Sequence, residues 1–198
     1  DMYETFSYAK SFNQNLSKWD VSKVTKMYGM FNTCEKFNGD ISTWDTSSLK
    51  DMQWMFYDNH VFNQDLSKWD VSKVENMWEA FCYASVFNSD LSEWDTSSVV
   101  YMTGMFYEAP FFNSDLSRWN TKNVWSMKDM FYGAKAFNSD ISSWDLSSTL
   151  GADQMFLGAS SFNQNLCAWK DTFPYNDKRD IFLNSGCTFQ RTPREWKQ

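Results

Sequence analysis

Two nearly identical stretches decide the fold: "FNQNLSKWDVSKV" at Phe12–Val24 and "FNQDLSKWDVSKV" at Phe62–Val74. Their phenylalanine, tryptophan and following methionine each recur through the chain with a step of 25 residues. The three series are Phe12, Phe37, Phe62, Phe87, Phe112, Phe137 and Phe162; Trp19, Trp44, Trp69, Trp94, Trp119, Trp144 and Trp169; and Met27, Met52, Met77, Met102 and Met127. A register held without insertion indicates a repeat array.

The register divides the chain, which we predict to be a single repeat domain. Residues 1–11 align as a truncated repeat, residues 12–161 as six full repeats, and residues 162–198 as a C-terminal cap where the period is lost. The chain begins within the pattern, so we expect it to be a mature fragment or a trimmed piece. A missing signal peptide therefore says nothing about secretion.

Within one unit, two spacings predict local structure. Leu16, Trp19 and Val21 resemble the turn-into-strand core of a leucine-rich repeat. The next segment steps by three and four through Met27 and Met30, which is a helical or 3-10 period. We therefore predict an α/β solenoid, a right-handed leucine-rich-repeat array of 25-residue units, each with a short parallel strand and a short helical or 3-10 piece. Stacked neighbours would share one core of Phe, Leu, Trp and Met.

Composition excludes several classes of function. The formal net charge of -7 argues against non-specific nucleic-acid binding. No apolar run approaches the roughly 18 residues that cross a bilayer. The chain has a single histidine, His60, and no nucleophile elbow, P-loop or dinucleotide-binding glycines. We therefore expect no enzyme and no bound cofactor.

Three polar columns follow the same register. An asparagine after each Phe, from Asn13 to Asn163, predicts a ladder of side-chain amides that bond backbone groups. Asp or Asn recurs in two more columns. One of them holds Asp20, Asp45, Asp70, Asp95 and Asp145. These carboxylates fit turns closed by the following Ser, a surface for a protein partner, or a Ca²⁺ ladder. No D-x-D-x-D-G loop favours the calcium alternative.

Positions that break the repeat are the candidates for specificity. Large aromatic residues, including Trp54, Trp78 and Trp125, vary between the methionine columns. Tyr57, Tyr107 and Tyr132 directly follow the repeat's Phe. Facing outward, these side chains could stack on sugars or anchor a protein. Facing inward, they would shield the joints between units. The sequence leaves both alternatives open.

The four cysteines fall into two groups. Cys34 stands in a column of alanines and predicts a buried thiol, whereas Cys82 stands in a variable tyrosine column and predicts an accessible one. Cys167 and Cys187 lie in the irregular C-terminal segment, where we predict a disulfide. Such a bond would contribute about 3 kcal/mol and imply an extracytoplasmic setting. Without a C-x-x-C pair, zinc binding is not expected.

The unit "FNQDLSKWDVSKVENMWEAFCYA" at residues 62–84 resembles the BspA-like leucine-rich-repeat family, also called DUF285 or the mycoplasma-type surface repeat. The resemblance covers residues 1–169 and implies a secreted or cell-surface protein with adhesive roles. We therefore expect an adhesion module that binds an extracellular protein through a strand face bearing the aspartates of the Asp20 column. The alternatives are a carbohydrate-binding module using Trp54, Trp78 and Trp125, or a structural spacer.

Overall fold

The computed structural model describes residues 1–176 and 179–187. Its 25-residue units stack one on the next, and the Phe, Trp and Met columns run through the stack as one hydrophobic core. From Phe31 onward, every Phe of the two repeating columns is fully buried, as are Met27, Met52, Met77, Met102 and Met127. The repeat read from the sequence therefore corresponds to a physical stack.

The predicted α/β architecture is wrong. Among the described residues the one helix is a 3-10 turn at Cys167–Asp171, and no sheet is present. Adjacent units meet in isolated parallel bridges, each of one residue pair: Lys26 with Asp51, Asp51 with Asn76, Asn76 with Tyr101, Tyr101 with Ser126, and Ser126 with Gly151. Over residues 1–166 the chain is a succession of turns, and the leucine-rich-repeat strand and helix do not form there.

The backbone hydrogen bonds explain why no helix forms on the Met segment. The N–H groups of Met27, Gly29 and Phe31 donate to carbonyl groups of the following unit, at distances of 2.8, 2.8 and 2.9 Å. An α-helix needs those same N–H groups for its own carbonyls four residues back. The N–H of Met30 instead closes a local turn on the carbonyl of Met27 at 3.1 Å. In this segment, apolar residues spaced by three positions are therefore joined by turns and not by a helix.

Two columns of left-handed backbone per unit make these turns possible. One column runs through Glu4, Gly29, Trp54, Glu79, Gly104, Asp129 and Gln154, and the other through Tyr8, Thr33, Asp58, Tyr83, Glu108, Gly133 and Gly158. Gly29 has a φ of 55° and is the third residue of the turn that Met27 and Met30 close. That position of a type II turn requires a positive φ. Non-glycine residues accept it elsewhere because each turn is also bonded to the next unit.

Aromatic stacking sets the core geometry. Across the boundary of two successive units, Phe31 and Phe37 stack with ring centroids 3.9 Å apart. Between units, Phe31 lies 5.7 Å from Phe56, and Phe37 lies 6.0 Å from Phe62. Burial of each such side chain contributes about 1.5–3 kcal/mol. The Phe columns therefore dominate the stability of the stack.

The segment after the last repeat continues the stack with a shifted register. Phe182 stacks on Phe156 at 5.6 Å, although 26 residues separate them in the sequence. The N–H of Phe156 donates to the carbonyl of Ile181 at 2.9 Å. Asp180 and Asn184 also have positive φ values, of 53° and 57°. Residues 179–187 thus form a further, incomplete layer that the sequence period does not reveal.

Candidate functional site

The exposed asparagine column forms the predicted ladder. The side-chain Oδ1 of each Asn accepts the backbone N–H of the Asn 25 residues later, over distances of 2.8–3.0 Å. The ladder runs through Asn13, Asn38, Asn63, Asn88, Asn113, Asn138 and Asn163. These amides therefore join adjacent units, and their recurrence has a structural cause.

The aspartate columns close turns. In the column of Asp20, Asp45, Asp70, Asp95 and Asp145, each Oδ1 accepts the backbone N–H of the Ser two residues later at 2.9–3.1 Å. The serine donors hold the carboxyl pKa below its usual value at Asp20, Asp45, Asp70 and Asp145. Within residues 1–176 and 179–187, no group of acidic, His or Cys side chains is placed to hold a metal ion. Turn formation therefore accounts for the recurrence of these aspartates, and their contact with a partner stays a prediction.

The three candidate tryptophans lie in different surroundings. Trp54 is half-buried, and its Nε1 donates to Oε2 of Glu79 at 3.1 Å. Trp78 is 41% exposed and donates to Oε1 of the same carboxylate at 2.9 Å. Trp125 is 52% exposed and packs edge-on against Tyr101, with ring centroids 6.2 Å apart. The structure thus joins Trp54 and Trp78 through Glu79 and places Trp125 against a different aromatic residue.

Four tyrosines from successive units form a continuous row. Tyr57 meets Tyr83 at 5.7 Å with an interplanar angle of 82°, and Tyr83 meets Tyr107 at 5.4 Å and 73°. Tyr107 then stacks flat on Tyr132 at 4.4 Å. Tyr57, Tyr107 and Tyr132 share one column, whereas Tyr83 comes from the neighbouring left-handed column. In the unit between those of Tyr57 and Tyr107, the ring therefore comes from Tyr83, which lies one position later in the repeat.

The row borders a cavity of about 150 Å³, which we call the tyrosine pocket. Its lining consists of Tyr57, Glu79, Cys82, Tyr83, Thr103, Gly104, Tyr107 and Asp129. Gly104 lies between Glu79 and Asp129 in one left-handed column. A Cβ at Gly104 would stand 2.9 Å from Cγ of Glu79. The glycine therefore allows the Glu79 side chain to lie across the neighbouring unit.

The pocket is electrostatically negative. Burial raises the pKa of Asp129, and the nearby carboxylates of Asp153 and Glu79 raise it further, against the opposing charge of Lys128. Burial also raises the pKa of Tyr57 to about 12. Negative charge in this pocket is thus poorly compensated, and a neutral hydroxyl is the stable form of the Tyr57 side chain.

Cys82 lies beneath the pocket and corrects one sequence prediction. It is 3% exposed, so its predicted accessibility is wrong. Burial raises its thiol pKa, and the carboxylates of Glu79, Asp58, Glu108 and Asp129 add to the effect. The thiol is therefore protonated and shielded. Cys34 is fully buried, as its alanine column predicted.

The predicted disulfide is absent. Cys167 and Cys187 are both thiols, and no disulfide forms among residues 1–176 and 179–187. Cys167 begins the 3-10 helix and is half-buried, while Cys187 is buried against the core. The last layer is held by aromatic stacking and backbone hydrogen bonds such as that from Gly158 to Leu183 at 2.9 Å.

Sequence reasoning missed several residues of the pocket. Glu79, Tyr83 and Asp129 occupy the left-handed columns, which spacing alone does not identify as a surface. One signal was present: glycine appears in those columns at Gly29, Gly104, Gly133 and Gly158. Glycine that alternates with other residue types at equivalent positions of a repeat indicates a backbone that requires a positive φ.

Comparison with known proteins gives a family match. The model of the family described as "Mycoplasma protein of unknown function, DUF285" matches residues 1–94 and residues 80–196. No curated protein matches the chain, and neither does any solved structure. Among the described residues, no helix has the length and apolar character to span a membrane.

Proposed function

The chain belongs to the DUF285 family, and we propose that it is a secreted or cell-surface binding module, of the BspA-like kind, that recognises a protein partner. The tyrosine pocket carries this proposal. Around this pocket the residue types differ from unit to unit, and tyrosines and acidic residues stand where the repeat is not uniform. Together they form a concave, aromatic and acidic surface. The proposed role is binding, without a chemical reaction.

The distribution of the remaining polar groups supports this choice of surface. The Asn ladder and the Asp turns use their side chains to hold the backbone together. The aromatic side chains around the pocket are not needed for those bonds. Tyr83 is 37% exposed and Trp78 is 41% exposed. Tyrosine and tryptophan supply most of the binding energy in protein interfaces when a partner covers them.

A carbohydrate-binding role is the second candidate, and the exposure of Trp78 and Trp125 favours it. Sugar rings stack on flat, accessible indole faces. Trp54 weakens this alternative, because it is half-buried and its indole N–H is bonded to Glu79. If all three tryptophans stacked on one extended glycan, their indole side chains would need to be similarly exposed to solvent.

The two roles are separated by testing the purified chain on an array of extracellular proteins and on a glycan array. We expect saturable binding to a protein, with no glycan bound. A Tyr83→Ala/Tyr107→Ala variant should weaken the protein binding at least about tenfold, as loss of an interface hot spot does. Phe111→Ala, which removes a 64% exposed aromatic side chain outside the pocket lining, is the matched control.

Glycan binding that is lost in a Trp54→Ala/Trp78→Ala/Trp125→Ala variant would replace the protein proposal with the carbohydrate one. Absence of binding on both arrays would contradict both and favour a spacer. Near-ultraviolet circular dichroism of each variant verifies that the aromatic core is intact.

A further inference from the structure

We propose that the tyrosine pocket accepts a single arginine side chain of the protein partner. This inference rests on the proposed function and specifies the chemistry of the group that enters the site. Four features of the pocket carry it: its size, the orientation of its rings, its two carboxylates and its glycine floor.

The volume limits the occupant. Pockets that enclose a drug-sized ligand measure roughly 300–1,000 Å³. The tyrosine pocket measures about 150 Å³ and is open to the surface. This space suits the head group and part of the stem of one side chain. The rest of the partner would then lie on the exposed side chains next to the pocket: Tyr83, which lines it, and Trp78, which is bonded to the lining residue Glu79.

The tyrosine rings that line the pocket differ in orientation. Tyr83 stands at 82° to Tyr57 and at 73° to Tyr107. Three tyrosine rings, with Tyr83 at a steep angle to each of the other two, thus line the pocket, and a cation that enters lies among them. A guanidinium group stacks flat on an aromatic face and is attracted by its negative charge distribution. An ammonium group is more strongly hydrated and loses more on entering.

The carboxylates provide the charge complementarity. Glu79 and Asp129 line the pocket from two units on either side of the unit that holds Gly104. Glu79 is among the groups that raise the pKa of Asp129, so the two negative charges repel each other. Lys128 forms an ion pair with Asp153 at 3.9 Å. A cation between Glu79 and Asp129 would relieve this repulsion and receive charge-assisted hydrogen bonds.

Gly104 leaves room for the Glu79 side chain, which lies over the glycine backbone where both residues line the pocket. Its φ is 57°, a region where a side chain is strained, and an added Cβ would contact Glu79 at 2.9 Å. Thr103 supplies a hydroxyl beside it in the lining. The base of the pocket therefore has no side chain at Gly104, carries the Thr103 hydroxyl and is flanked by two carboxylates. These features fit the planar guanidinium group of arginine, which carries several hydrogen-bond donors.

The test is a titration of the complete chain, labelled with ¹⁵N, with the peptide acetyl-Gly-Arg-Gly-amide. We expect the amide signals of Thr103 and Gly104 to shift in a saturable manner. The same peptide with citrulline in place of arginine has the same shape without the charge and should cause no saturable shift. A lysine peptide should bind several-fold more weakly than the arginine peptide, because its ammonium lacks the planar fork.

Matched variants locate the interaction. Glu79→Gln/Asp129→Asn removes both charges, keeps an acceptor oxygen for one of the two indoles bonded to Glu79, and places Asn where a left-handed φ is well tolerated. We expect it to weaken arginine binding about tenfold or more. Asp140→Asn removes an exposed charge in a turn that Asn can also close, and should leave the affinity unchanged.

Equal shifts with citrulline, stronger binding of the lysine peptide, or equal loss in Asp140→Asn would overturn the arginine assignment. If the peptide fails to bind while Tyr83→Ala/Tyr107→Ala still abolishes binding of a protein on the array, the arginine proposal falls and the proposed function stands. Shifts at Thr103 and Gly104 with no partner on the array would support the arginine proposal and contradict the broader one.

Discussion

Asn59 is a residue whose polarity conflicts with its position. It is fully buried, and neither atom of its side-chain amide has a hydrogen-bond partner. Its column holds buried alanines at Ala84, Ala109 and Ala134. We expect Asn59→Ala to raise the free energy of unfolding by about 1 kcal/mol or more, because an unsatisfied buried polar group costs about 1–3 kcal/mol.

Urea denaturation measures this change, with Cys34→Ala as the control for altered volume in the same column. A lower free energy of unfolding for Asn59→Ala would show that the amide is satisfied in solution. It would also mean that the alanine pattern of the column does not describe the environment of Asn59.

The buried Trp column makes a second prediction at the scale of single residues. The Nε1 of Trp94 donates to the carbonyl of Leu66 at 3.0 Å, and the same bond recurs from Trp44 to Trp169. Trp94→Phe removes this donor, while the Leu66 carbonyl still accepts the backbone N–H of Trp69 at 3.1 Å, so we expect a loss of about 0.5–1.5 kcal/mol. Trp19→Phe, at a side chain that is 40% exposed, should cost much less. Equal losses in urea denaturation would contradict a structural role for the bond.

At the scale of the 25-residue unit, the aspartate turns predict sensitivity to acid. Hydrogen bonds from serine lower the carboxyl pKa in the folded state at Asp20, Asp40, Asp45, Asp65, Asp70, Asp115 and Asp145. Their contribution is present above the unfolded pKa of about 3.9 and is lost as the pH falls toward the lower folded pKa values. We expect urea midpoints to fall between about pH 5 and pH 2.

A chain with Asn at these seven positions is the control, since the chain itself closes the equivalent turns with Asn15, Asn120 and Asn165. Its stability should depend less on pH over the same range. The raised pKa of Asp129 acts with the opposite sign: its carboxyl ionises less readily in the folded than in the unfolded state, so its contribution to stability falls as the pH rises from the unfolded pKa toward the folded pKa. An unchanged acid sensitivity in the Asn-substituted chain would contradict the role assigned to the turns.

The same scale shows what the sequence could predict. The period, the buried columns and the Asn ladder follow from residue spacing, and the structure confirms them. The α/β assignment fails because Met27 and Met30 have a spacing that a helix and a chain of turns both satisfy. The distinction depends on where the N–H of Gly29 and Phe31 donates, and those acceptors lie in the next unit.

The site was predictable only in part, for a related reason. The sequence identifies as binding candidates the tyrosines that directly follow the repeat's Phe and the tryptophans between the methionine columns. The pocket, however, combines Glu79, Gly104 and Asp129 from three successive units with Tyr83 from another column. Which columns lie side by side depends on the path of the turns, and residue spacing along the chain does not determine that path.

At the scale of the whole molecule, the units act as interchangeable layers that present one irregular surface. Each layer bonds to the next through backbone groups, the Asn ladder and the Trp indoles. Stability of such a stack is the sum of layers and the interfaces between them. Removing one complete layer should therefore shorten the stack and leave the others in register.

The most direct test compares two deletions by thermal unfolding, followed in the near-ultraviolet circular dichroism of the aromatic core. Deleting Phe12–Lys36 removes one 25-residue unit and joins Ser11 to Phe37 in the original register. We predict a cooperative transition and a retained aromatic signal. Deleting only Phe12–Lys23 removes fewer residues but puts residues 1–11 out of register with the columns, and should lower both the melting temperature and the aromatic signal below those of the in-register deletion. Equal behaviour of the two deletions, or loss of the aromatic signal in the first, would contradict the account of interchangeable stacked units.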